Sequence, residues 1–299
     1  MNQQITWTLL LEKYFLRHCK NLKEQLCLSA MICFPNCKIN IGLNIFKKRD
    51  DGFHEIQSIF YPVPIRDALE ISNSKETTIS IYGAEIPGDP TSNLIYKAWE
   101  LMAEEHHIGP ITISLLKKIP SGGGLGGGSA DGSFMLNLLN GFFHLGLSME
   151  KLEGYAAKLG SDCPFFINNK PAIVTGRGEY LRTLNLDLSG YHLLLVNPKI
   201  HISTKDAFQS ITPRSKFELD INAIENLNFN YWKNYLTNDF EEPMLRKYPQ
   251  IEFIERQIKD LGALYTSLSG TGSTYYGIFR DAPNTENLFP NCDVWKVKL

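Results

Sequence analysis

Six of the chain's 23 glycines fall in the stretch Pro120-Ser121-Gly122-Gly123-Gly124-Leu125-Gly126-Gly127-Gly128-Ser129-Ala130. Each ordered glycine costs about 0.5–1 kcal/mol of extra backbone entropy, so an ordered run of this kind must be offset by something it does. A flexible tether has no purpose here, because a strand pattern precedes the run and a helix-compatible pattern follows it. Without Cβ atoms, consecutive N–H groups can turn inward around an anion at a helix N-terminus. Phosphate binding is the chemistry this spacing supports. A Walker A loop is excluded, since no lysine follows the glycines. Gly122, Gly124 and Gly127 satisfy G-x-G-x-x-G, but a dinucleotide fold also wants an acidic residue ending a second strand further on. The region near Phe142–Ser148 reads instead as a helix-to-helix connection. The run lies too far into the chain for a protein-kinase glycine loop, and H-R-D and D-F-G are absent.

The elements that must position such a loop can be read from periodicity. Ile39, Ile41, Leu43 and Ile45 alternate with Lys38, Asn40, Gly42 and Asn44, which predicts a half-buried strand with Lys38 and Asn40 on one face. A charged turn from Lys47 to Gly52 leads to Phe53-His54 and an extended stretch through Gln57 to Val63. Further strands are expected at Ala68–Ser72, Thr77–Tyr82 and Ile111–Leu116, with Ser92 as N-cap of a helix burying Ile95, Ala98, Leu101 and Met102. After the glycines, Phe134, Leu136, Leu138 and Leu139 suit a helix, and a second runs from the N-cap Ser148 to Leu159, stopped by Gly160. Ser161-Asp162-Cys163-Pro164 reads as a short loop. Beyond about residue 185 come a strand (Tyr191–Val196), a helix after Ser203-Thr204, a polar segment to about 230 and a helix ending at Gly262. A strand, loop and strand then cover Leu264–Phe279, with Ser269-Gly270-Thr271-Gly272-Ser273-Thr274 at the bend. Two clusters of strands in this alternation predict two α+β halves, 31–184 and 185–299.

Composition narrows the partners. Over 299 residues, 43% hydrophobic and 21% charged side chains exclude wholesale disorder and fibrous repeats. A net charge of −2 provides no field for nucleic acid or an anionic membrane, so an anionic ligand must be gripped locally. Six cysteines without a C-x-x-C pair predict free thiols in a reducing cytoplasm. No uncharged apolar run approaches the roughly 18–20 residues that span a bilayer. Residues 1–30 carry an apolar cluster, Trp7 to Leu11, broken by Glu12 and Lys13, and lack a basic leader. This extension is either an amphipathic helix on the domain or a mis-assigned start; the second reading is preferred, because Met31 directly precedes a strand signal.

Residues 120–130 resemble the ATP loop of the GHMP kinases, the superfamily of galactokinase, homoserine kinase and mevalonate kinase. Three further segments agree in order and spacing. Phe34-Pro35-Asn36-Cys37-Lys38-Ile39-Asn40, with Asp51-Gly52-Phe53-His54-Glu55, resembles a first motif and its nucleobase contact. Leu159 to Phe166 resembles a catalytic segment, and Ser269 to Ser273 a third motif. The resemblance implies a two-domain GHMP kinase fold, with an N-terminal half like ribosomal protein S5 domain 2 and a ferredoxin-like C-terminal half. It implies ATP- and Mg²⁺-dependent phosphorylation of a small-molecule substrate by a cytoplasmic monomer or homodimer, with no nucleic-acid or membrane partner. By similarity, Asp162 is the base and Lys38 its partner, residues 120–130 bind ATP, and Ser129 is a Mg²⁺ ligand. Asn40, Phe53, His54, Thr204, Phe208, Ser269, Gly270, Thr271 and Gly272 are expected around the substrate. His54 would hydrogen-bond a cytosine that Phe53 and Phe208 sandwich, although Phe53 stands where the family commonly has tyrosine. Phe53-His54 and the doubled triple glycine argue against a homoserine or mevalonate kinase, and retention of Lys38 and Asp162 argues against an inactive relative. Cys37 stands for the usual alanine. Asp131-Gly132 replaces asparagine-alanine, and an acidic residue there would either weaken ATP binding or help hold the metal.

Overall fold

The computed structural model describes residues 30–86, 88–213, 215 and 217–299; of the expected extension 1–30, all but Ala30, which opens the first strand, lies outside them. In chain order, the N-terminal half runs β1 (Ala30–Cys33), β2 (Asn36–Lys48), β3 (His54–Arg66), β4 (Ala68–Asn73), β5 (Thr78–Gly83), α1 (Leu94–His106) and β6 (Ile111–Lys117). It continues with α2 (Gly127–Phe142), α3 (Met149–Leu159), α4 (Cys163–Asn168), β7 (Ala172–Gly176) and β8 (Tyr180–Thr183). Two four-stranded sheets result, in the orders β1-β4-β6-β5 and β2-β3-β7-β8. The C-terminal half holds β9 (His192–Asn197), α5 (Thr204–Gln209), α6 (Ile221–Glu225), α7 (Phe229–Tyr235), α8 (Glu241–Lys247), α9 (Pro249–Asp260), β10 (Tyr265–Leu268), β11 (Tyr275–Phe279) and β12 (Asp293–Lys298). Its sheet order, β10-β11-β9-β12 with every pair antiparallel, is that of a ferredoxin-like sheet. An irregular stretch, 280–292, stands where that fold has its second helix.

Local chemistry explains where the elements begin. Asn93 rather than Ser92 caps α1, accepting from Ile95 N at 3.0 Å, while Ser92 Oγ donates to Asp89 O inside a preceding 3-10 turn. Ser148 caps α3 as expected and Gly160 ends it. Of the loop expected at Ser161–Pro164, Cys163 and Pro164 instead open the short helix α4, because Pro164 falls in a first turn where its missing N–H costs nothing. The polar segment before residue 230 carries two short helices, capped by Asp220 on Ala223 N and by Asn228 on Tyr231 N.

Strand β2 is buried on both faces from Asn36 to Phe46, not half-buried. Its alternation separates core from cleft instead of core from water. Ile39 and Ile41 pack with Ile59, Leu193, Leu195 and Tyr276 in a core that joins the two halves. A bulge at Gly42, with φ of 67°, re-aims the strand, so that Leu43 and Ile45 join a second core with Phe240, Met244 and Ile254. A third core lies between the first sheet and helices α1, α2 and α3. The described cysteines, Cys33, Cys37, Cys163 and Cys292, are free thiols.

Candidate active site

The glycine loop leaves β6 through Ile119 and enters α2 past Leu125; both side chains are buried in the joining core and pin its ends. Its carbonyls are taken up by protein donors. Leu125 O accepts from Lys38 N (3.0 Å), Gly123 O from Thr274 N (3.2 Å) and Gly124 O from Ser269 Oγ (2.8 Å). The N–H groups opening α2 are left as the loop's unspent donors, the arrangement an anion needs. Gly124 has a φ of 76°, and a Cβ there would overlap the Ser269 carbonyl.

The loop separates two cavities. One, of ≈ 530 Å³, is lined by Gly122, Gly124 and Gly126 together with Lys38, Asn40 and Asp162. The other, of ≈ 510 Å³, is lined by Ser121, Gly128, Lys117 and Asp131. A groove of ≈ 1030 Å³ on the C-terminal half holds none of the expected site residues.

Lys38 Nζ lies 3.5 Å from Asp162 Oδ2, with Lys38 3% and the Asp162 side chain 34% exposed. The ammonium also donates to Asn40 Oδ1 and sits 4.3 Å from the centre of the Phe60 ring. Burial lowers the Lys38 pKa below the ordinary lysine value, against the opposing pull of Asp162. Asp162 occupies the N-cap of α4 but makes no capping bond, since Pro164 removes the N2 donor such a carboxylate would take. The carboxylate therefore faces Lys38. Its backbone is fixed from α2, where Ser133 Oγ donates to Cys163 O at 2.7 Å. Ser129 lies near the Cys163 thiol, which burial pushes up to about 11.

At the far end of this cavity stand Phe53, His54, Thr204 and Phe208, with Gly270 and Thr271 along one wall. His54 and Phe208 are stacked on each other, centroids 4.8 Å apart and planes 20° from parallel, so no gap for a base lies between them. Burial, then nearby Lys48, lowers the His54 pKa. Not every expected contact reaches the cavity. Ser269 is fully buried, giving a hydrogen bond to Gly124 and accepting one from Asn40 N at 3.3 Å, and neither it nor Gly272 lines the cavity. Asn40 has both ends of its amide engaged, by Lys38 and by Ser58 Oγ (3.0 Å). Leu125 and Ala130 are buried and can offer a ligand only backbone.

Asp131 lines the second cavity with one carboxylate oxygen engaged and Oδ1 without a partner among the described residues. Lys117 Nζ lies 2.6 Å from both Asp131 Oδ2 and Asp67 Oδ2, and all three side chains are buried. Burial pushes Asp131 up to about 7 in spite of Lys117. Burial also opposes the Lys117 charge, but Asp131 and Asp67 outweigh it and raise the lysine's pKa. Lys117 thus balances much of the charge that Asp131 places near the loop.

Several lining residues escaped the sequence reading, Arg177 and His201 among them. Arg177, on the turn between β7 and β8, holds its guanidinium 5.1 Å from the Phe53 ring. His201 brings Nδ1 to 2.9 Å from where a Gly122 Cβ would stand. The glycine-flanked Thr175-Gly176-Arg177-Gly178 was the available signal for the first; the second had none.

A lysine–carboxylate pair beside a glycine loop, between two α+β halves, is the arrangement of a small-molecule kinase. The chain belongs to the GHMP kinases: residues 93–170 match the family's N terminal domain and residues 215–289 its C terminal model. Homoserine kinase from Cytophaga hutchinsonii shares the fold, with a TM-score of 0.68 at 15% identity over 92% of this chain and 96% of that one. Closer likenesses narrow the family. The chain is 47% identical to 4-diphosphocytidyl-2-C-methyl-D-erythritol kinase of Bacteroides fragilis over 83% of this chain and 92% of the relative. It is 42% identical to that of Parabacteroides distasonis over 90% and 100%. A crystal structure of 4-(cytidine 5'-diphospho)-2C-methyl-D-erythritol kinase superposes with a TM-score of 0.75 at 27% identity, covering 89% of this chain and 98% of that one. The chain is a member of the 4-diphosphocytidyl-2-C-methyl-D-erythritol kinase family.

Proposed function

We propose that this enzyme transfers the γ-phosphoryl group of ATP to the 2-hydroxyl of 4-diphosphocytidyl-2-C-methyl-D-erythritol, with Asp162 taking the hydroxyl proton. The observation that carries the reading is the Lys38–Asp162 pair at 3.5 Å on the wall of the cavity that Gly122, Gly124 and Gly126 also line. Phosphoryl transfer needs little covalent work from a protein; it needs positioning and charge stabilisation. In this reading ATP lies in the second cavity with its phosphates on the N–H groups opening α2, and the acceptor lies in the first. The two reactants then meet across the loop. Lys38 orients the hydroxyl and holds the Asp162 carboxylate beside it through their ion pair. Asn40 and the Phe60 face hold that ammonium in place. Asp162 is the more exposed of the pair, which supports it as the group that meets the substrate oxygen.

The aromatic end takes the cytosine. Each stacked base is worth about 1–3 kcal/mol, and binding energy gathered there positions the reacting hydroxyl at the other end. The Arg177 guanidinium suits the diphosphate between them. The support for Mg²⁺ is donor chemistry: the Asp162 carboxylate on the cavity wall and the Ser129 hydroxyl, which lines neither cavity, are hard oxygens, and this ion needs few protein ligands because phosphates and waters complete its shell. When bound, it would supply neutralisation of the charge on the transferring phosphoryl. The test is ATP consumption with Mg²⁺ and each of three acceptors: the cytidylylated methylerythritol, homoserine and mevalonate. Turnover confined to the first is expected; turnover with either of the others, or with none, overturns the reading.

A further inference from the structure

We propose that Asn238 is a positioning residue that sets the width of the substrate cleft by tying three of its walls together; the inference rests on the function proposed above. Asn238 lies between α7 and α8, is 3% exposed, and does not itself line the cavity. Its Nδ2 donates to Leu268 O at 2.7 Å and to Gly270 O at 2.8 Å, and its Oδ1 accepts from Phe240 N at 2.9 Å. Both amide donors are therefore used. The backbone around it pairs with β2: Leu43 N donates to Thr237 O (3.0 Å), and Asp239 N donates to Leu43 O (2.8 Å). The side chain thus holds Gly270 and Phe240, and the backbone on either side of it holds Leu43; these three line the ≈ 530 Å³ cavity.

Each tie has a consequence in the cleft. In a trans peptide, C=O and the following N–H point in opposite directions. Anchoring Gly270 O on Asn238 therefore turns the Thr271 N–H the other way, and Thr271 lines the cavity. Phe240 meets Phe208 edge-on at 5.0 Å, and Phe208 carries the stack on His54. Leu43 belongs to the strand that presents Lys38 and Asn40. One buried amide thus fixes the third motif against the aromatic end, on a backbone segment that is itself paired with the strand carrying Lys38. The ATP-side cavity is lined by none of the residues it holds.

Asn238→Asp keeps the shape and the acceptor for Phe240 N but sets an oxygen against two carbonyls. Steady-state kinetics of the full chain should show KM for the cytidylylated acceptor raised by about tenfold or more, with KM for ATP within about twofold of wild type. Asn234→Ala, which removes an exposed amide bonded only to Asn230 O, should change neither. Equal shifts in both KM values, or no shift in either, overturn the proposal. If the aspartate variant does not fold, Asn238→Ser goes through the same assays, and failure of both to fold overturns it too, because the amide would then serve the fold. Absence of turnover by the wild-type chain would instead sink the proposed function, so the two failures are separable.

Discussion

Lys38 brings a positive charge to a place that disfavours charge, with Asp162 and Asn40 as its compensation. Burial lowers its pKa, so the ammonium is lost as pH rises through a value below the ordinary lysine figure of about 10.4. The pH profile of kcat/KM should therefore fall on a basic limb beneath that figure. In Lys38→Arg the limb should vanish while activity is reduced, because guanidinium stays charged beyond about pH 12 but presents a different shape. A wild-type profile flat to about pH 10, or an unmoved limb in the variant, contradicts this role. At this scale the sequence was most informative where chemistry is written in contiguous types: a lysine and asparagine two apart on a strand, a glycine run, an aspartate before cysteine-proline. Arg177, His201 and Asn238 are single residues on turns and connections. Their importance comes from what the tertiary structure brings near them, and no local pattern records it.

Among the elements, the glycine loop separates residues that must be glycine from residues that need not be. Gly124 combines positive φ with a packed neighbour, whereas Gly128 lies in α2 with nothing within 4 Å of where a Cβ would stand. Left-handed strain alone costs a non-glycine residue about 1–3 kcal/mol. Gly124→Ala should lower the melting temperature and reduce turnover sharply, and Gly128→Ala should melt as wild type; thermal denaturation of the two variants checks both. Equal stability of the pair would contradict the packing. Strand periodicity was legible, yet its meaning was not: β2 alternates because one face enters a core and the other a catalytic cleft, which no hydropathy pattern separates from solvent. The helix at 163–168 was missed because proline reads as a breaker, although in a first turn it is not one.

For the molecule as a whole, the two halves expected from strand clustering share a core. Ile41 from the catalytic strand packs in the same cluster as Leu193, Leu195 and Tyr276 from the C-terminal sheet. Tyr276 OH also donates to Asn40 O at 2.7 Å. Removing the buried side chain in Ile41→Ala should cost about 2–5 kcal/mol. Urea unfolding should remain one transition, with tryptophan fluorescence and far-ultraviolet circular dichroism coincident. Separate transitions would mean that the halves are held together only loosely. A shared core gives the cleft fixed walls, and in the proposed reaction a cytidine-bearing acceptor and ATP meet across the glycine loop with Asp162 beside the hydroxyl. The most direct measurement is acceptor-dependent ATP consumption by wild type and Asp162→Asn, with ATP binding measured on both. Removing a general base typically costs about 10²–10⁴ in rate. Turnover that requires the cytidylylated acceptor and collapses on that scale in the variant, while ATP binding persists, is the predicted result. Undiminished turnover in Asp162→Asn would contradict the assignment of the proton to that carboxylate.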